Sequence, residues 1–117
     1  MSKIVIYLDE QACRAEALLR IQKVTKKSLS EIRSSLVNGN PIVEIVLFKG
    51  DYDSHAFMLR SFLSLVDEMS LQARIYELPE GANPTNGAYS EDLEITPVIL
   101  KNILSAADRE IDRQLGE

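Results

Sequence analysis

The chain has 117 residues, 45% hydrophobic and 26% charged, with 13 Lys and Arg against 18 Asp and Glu for a net charge of −5. That length holds one packed domain, 1–117, rather than two. One Cys and one His exclude an internal disulfide and a structural zinc site of about four such ligands, and no apolar run approaches the roughly 20 residues that span a bilayer.

Lys3 to Leu8 reads as a strand, β-branched and apolar at its centre. The run that follows Met1 has no cleavage-site pattern and stops at Asp9 and Glu10, so no secretory signal is expected. A cytoplasmic location is expected, and a single free Cys suits that reducing compartment. Asp9 is placed to cap a helix reaching about Val24, with Cys13, Ala17, Ile21 and Val24 on one apolar stripe.

The stretch from Thr25 to Phe48 carries the densest structural information. Ser28 and Glu31 have the spacing of a capping box, in which each side chain satisfies an orphan backbone N–H. Leu29, Ile32 and Leu36 then share a helical face, and Asn38-Gly39 supplies a left-handed stop. Pro41 blocks resumption of the helix, so Ile42 to Phe48 is expected as a strand.

Lys49-Gly50-Asp51 predicts a turn, and Asp51 or Asp53 should cap a third helix of about four turns. His55, Leu59, Phe62, Val66 and Met69 form its main apolar stripe, widened by Leu63. Phe57, Met58 and Leu65 exceed what one buried face requires, which predicts a second surface against this helix. Leu71 to Leu78 alternates as a strand with one covered face and one partly wet face.

Turn residues dominate from Pro79 to Gly87, so 79–95 is expected as a long acidic loop. Thr96 followed by Pro97 starts a final helix, 96–115. The order β-α-α-β-α-β with an additional C-terminal helix predicts an α+β fold, a two-layer sandwich of helices on a sheet.

In that order of elements, residues 3–78 resemble the C-terminal domain of the bacterial ribosomal stalk protein. That family has the same element order and a threonine followed closely by a Leu-x-Glu-Ala-Lys helix. Here the corresponding residues are Thr25 and Leu29-Ser30-Glu31-Ile32-Arg33, with Lys26, Lys27 and Ser28 where the family has glycines. A family of adaptors that deliver substrates to AAA+ proteases shares this general fold. The resemblance implies docking on a translational GTPase or an AAA+ machine through the first two helices, where Arg20, Lys23, Lys26, Lys27 and Arg33 make a basic stripe.

No catalytic set is expected. Cys13 and His55 both fall on apolar stripes, where core packing is the default role. No phosphate-binding glycine loop is present, and Asp51 and Asp53 are explained as caps rather than as metal ligands, so no cofactor and no metal are expected.

Charge is divided unevenly: residues 1–50 hold eight basic against five acidic side chains, and residues 51–117 hold five against thirteen. No Lys or Arg lies between Arg74 and Lys101, where Glu77, Glu80, Glu91, Asp92 and Glu94 accompany Tyr89. Carboxylates around an aromatic anchor suit capture of a basic protein. The leading expectation is therefore a non-catalytic, cytosolic immunity protein that neutralises a basic bacterial toxin domain through these six residues. Neither nucleic acid nor a membrane is an expected partner, given the acidic balance and the lack of a span.

Overall fold

The computed structural model describes residues 2–79 and 93–115. Strand β1 (Ser2–Leu8) pairs antiparallel with β2 (Val43–Val46) on one edge and with β3 (Ala73–Pro79) on the other. A two-residue strand, β4 (Glu94–Ile95), extends the sheet beyond β3, giving the order β2-β1-β3-β4. Helices α1 (Ala15–Thr25), α2 (Leu29–Asn38), α3 (Tyr52–Glu68) and α4 (Pro97–Leu115) complete the described elements. Ile4, Ile6, Val43 and Ile75 from one sheet face share a core with Ile21, Ile32, Leu59, Phe62, Leu100 and Leu104 from the four helices. The fold is α+β, with helices layered on an antiparallel sheet. Among the described residues, no helix is long and apolar enough to cross a membrane.

Local chemistry sets most boundaries. The Ser28 hydroxyl accepts from the Glu31 amide at 3.1 Å to start α2, and Gly39, at φ +72°, ends it. Asp51 caps α3: its carboxylate accepts from the Ser54 amide at 3.3 Å and from the Ser54 hydroxyl at 2.7 Å. These bonds hold the Asp51 carboxyl below the usual carboxylate range. Thr96 Oγ1 accepts from the Ile99 amide at 3.2 Å at the start of α4.

Several expectations need correction. The first helix is not continuous from Asp9, because a short 3-10 turn over Glu10–Ala12 precedes α1. Asp9 Oδ1 accepts from the Gln11 amide at 3.1 Å, and Arg14 is extended at φ −134°, so helical phase restarts after it. Ala12 is buried and Cys13 is exposed, rather than packed in the core. Strand β2 stops at Val46, where the Lys49 amide turns back to the Val46 carbonyl at 3.2 Å.

Strand β3 begins two residues later than the alternation suggests. Ser70 is left-handed at φ +54°, and the Leu71 amide still reaches back to the Val66 carbonyl at 2.9 Å. Finally, β4 lies inside the stretch expected as loop, with Ile95 opposite Ile75. The outer sheet face is also drier than alternation implies: Val5, Tyr76 and Leu78 are buried together there, with Tyr7 edge-on to Tyr76 at 5.9 Å. On that face Lys3 pairs with Glu44 at 3.3 Å.

Helix α4 is fastened to α3 by a polar cluster. The Tyr52 hydroxyl lies 3.0 Å from both the Leu104 carbonyl and Asp108 Oδ1, sharing its hydrogen between them. Arg60 donates to the other Asp108 oxygen at 2.5 Å. Tyr52 also stacks on Phe48, with ring centroids 5.5 Å apart and 5° between planes. Burial, and then the bond to Asp108, push the Tyr52 phenol up to about 12.

Two stability experiments follow from this packing. Ser28→Ala should cost about 1 kcal/mol, the usual loss for a cap, and Phe62→Ala about 3–5 kcal/mol, as for a fully buried aromatic; denaturant titration reads both. Tyr52 is protonated more tightly in the folded chain than in the unfolded one. Its contribution is therefore complete below about pH 10 and is lost as pH rises through the folded value of about 12. Tyr52→Phe should flatten the alkaline fall in melting temperature relative to wild type. An ultraviolet titration should show a late-ionising tyrosine component that is lost in that variant.

Candidate functional site

Helices α1 and α3 run antiparallel and are tied where α1 begins and α3 ends. At the tied end Arg14 donates to the Met69 carbonyl at 3.0 Å, and Arg20 forms an ion pair with Glu68. Between the C-terminal half of α1, the α3 residues from Asp53 to Leu65 and Ile45 of β2 lies a groove of about 970 Å³.

Its α1 wall is cationic, with Arg20, Lys23 and Lys26 around Val24. Its α3 wall carries Ser54, Phe57, Met58, Ser61, Ser64 and Leu65, which recur at three- and four-residue spacing on one helical side. Ile45 of β2 supplies the floor, and Asp53 and His55 stand at the start of α3. His55 Nδ1 lies 3.2 Å from the Leu47 carbonyl. The Nδ1–H therefore donates to that carbonyl, and the ring is fixed by the turn after β2.

The distribution of apolar surface in this groove is unusual. Leu65 is 1% exposed, and Met58 is half-buried against the core, whereas Phe57 is 74% exposed. An aromatic ring left in water beside an apolar floor is the kind of surface that partners cover. On the cationic wall, Lys23 and Lys26 are exposed and have no carboxylate partner among the described residues. Lys26 ends α1 in the left-handed conformation, φ +64°, with its amide on the Gln22 carbonyl at 2.8 Å. Glycine is the default residue at such a position, and a lysine there is strained.

The basic stripe expected from sequence is therefore only partly assembled. Arg20, Lys23 and Lys26 meet at the groove, but Lys27 is diverted, its ammonium donating to the Ile42 carbonyl at 2.6 Å. Arg33 is exposed on α2 and does not line the groove. Of the acidic set, Glu80, Tyr89, Glu91 and Asp92 lie outside the described residues. Glu94 stands opposite Tyr76, on the outer sheet face, whereas strand alternation puts Glu77 on the core side with Ile75. These two carboxylates thus point to opposite faces.

Phe57 was legible as excess apolarity on α3. The α1–α3 groove, Val24 and Ile45 as its lining, and His55 as a half-exposed wall residue were not, because all depend on how two helices and a strand meet in space. Among the described residues, no three His, Cys, Asp or Glu side chains gather in a group suited to a metal ion. No protein-family model, curated protein or solved structure matches the chain.

Proposed function

We propose that this chain is a non-catalytic protein-binding module that docks a partner in the α1–α3 groove. The observation that carries the reading is Phe57, 74% exposed beside an apolar floor, in a groove that also holds Lys23 and Lys26, which have no carboxylate partner among the described residues. A central exposed aromatic with a polar rim is the anatomy of an interface hot spot. The single His and the single Cys of the chain do not meet in the groove. His55 lines the groove with one ring nitrogen occupied by Leu47, while Cys13 lies in the lead-in to α1 and is not among the groove residues. The resemblance over residues 3–78 points to the same end of the molecule, since it too implies docking through the basic residues of the first helix.

Neutralisation of a basic toxin domain by the acidic half is the second reading. It is favoured by the uneven charge, five basic against thirteen acidic residues over 51–117. In that reading the association rate, rather than contact with the groove, depends on the acidic residues.

Panning a random peptide-display library against the wild-type chain, with Phe57→Ser as counter-target, tests the leading reading. Enriched peptides should bind wild type and lose affinity for Phe57→Ser by roughly tenfold or more, the scale of an aromatic hot spot. Melting temperature should be almost unchanged, because the ring is exposed. Enriched peptides that ignore Phe57→Ser but lose binding on Glu77→Gln/Glu94→Gln would overturn the groove reading in favour of the acidic one.

A further inference from the structure

Resting on the groove as the docking surface, we infer that its occupant is an acidic amphipathic helix of about two turns, supplied by a partner protein. Three observations select that chemistry. The walls are unequal, with Arg20, Lys23 and Lys26 on α1 facing the hydroxyls of Ser54, Ser61 and Ser64 on α3, where Asp53 at the helix start is the one carboxylate among the described lining residues. A helix laid between them places apolar side chains on the floor and carboxylates beside Lys23 and Lys26. Arg20 is already engaged by Glu68, so among the described residues Lys23 and Lys26 are the cations of the lining left to answer a ligand.

The second observation is size. The α1 wall from Arg20 to Lys26 rises about 9 Å at 1.5 Å per residue, so a helix laid along it engages the groove over about two turns. That length presents two or three apolar side chains at i, i+3 or i+4, and i+7.

The third observation is the backbone of Lys26. Its left-handed conformation, φ +64°, would be easier for glycine. Strain held at a residue that lines a groove points to a use for its side chain. An ammonium at this position answers a carboxylate on the ligand. The floor of Val24, Ile45, Met58 and Leu65 is aliphatic or thioether, with Phe57 the one ring. That lining suits leucine-like side chains better than a succession of stacked bases, which needs several aromatic platforms.

The experiment uses the full chain and fluorescence anisotropy with three labelled probes. The first is a 14-residue helical peptide with Leu at i, i+3, i+4 and i+7 and Glu at positions flanking that apolar stripe. The second is the same peptide with Lys for Glu, and the third is an oligothymidylate. The Glu peptide should bind, and bind more weakly as salt rises; the other two should not. Lys23→Glu/Lys26→Glu should weaken the Glu peptide by about tenfold or more, with only a small loss of melting temperature from carboxylates at the C-terminal end of the α1 dipole. Lys26→Gly should melt at or above the wild-type temperature yet bind more weakly, because it relieves the backbone and removes the charge.

Equal binding of the Lys peptide, preference for the oligonucleotide, no binding of the Glu peptide, or indifference to the lysine changes would each overturn the acidic-helix inference. Self-association in sedimentation that Phe57→Ser abolishes would assign the groove to a second copy and overturn it equally. The groove reading fails separately: it falls if Phe57→Ser leaves the binding of every probe and every display-selected peptide unchanged.

Discussion

Strand β1 is the constraint on which the remaining structure depends. It is paired along both edges and buried on both faces, with Ile4 and Ile6 in the main core and Val5 in the outer cluster, all fully buried. Its register therefore admits no slip, since a one-residue shift would exchange the Ile pair for Val5 and Tyr7. The pairing Ile4↔Ile45 and Ile6↔Ile75 fixes which side chains of β2 and β3 meet the helices. Ile45 becomes the groove floor as a consequence of that register.

The groove arises because α1 and α3 meet the sheet unequally. Ala17, Leu18 and Ile21 bury one side of α1, and Ala56, Leu59, Phe62, Leu63 and Val66 bury one side of α3. Arg14 and Arg20 close the far end against Met69 and Glu68. At the near end the ties are absent among the described contacts, and α1 stops at the left-handed Lys26 just where α3 begins with Asp51, Ser54 and Phe57. Meanwhile the other flank of α3 is occupied by α4, through Tyr52, Arg60 and Asp108. The leftover apolar residues of α3 thus meet two fates: Leu65 is sealed, and Phe57 stays in water.

Much of this was legible in the residues. Ser28, Gly39, Asp51 and Thr96 act through their own side chains or backbone freedom on neighbours within four residues, so their roles can be read from spacing. The same holds for the excess apolarity of α3. Cys13 was misread because a 3-10 turn, set by Asp9, shifts the helical phase ahead of α1. Strand β4 was missed because two residues carry no alternation of their own and are ordered by pairing with Ile75 and Tyr76. For the site, spacing along α1 placed Arg20 and Lys23 together, but the diversion of Lys27 to the Ile42 carbonyl is a tertiary event. So is the opposition of α1 to Phe57, which no local pattern encodes.

The three methionines include one inside the groove, Met58, and one at the tied end, Met69, so the chain carries its own probe and control. The most direct measurement is a carbon–proton spectrum of methyl-labelled methionine, recorded as a groove-binding peptide is added. Docking between α1 and α3 should shift the Met58 methyl resonance progressively to saturation and leave Met69 in place. A peptide that binds the chain while Met58 stays unmoved would place the interface elsewhere and contradict the account.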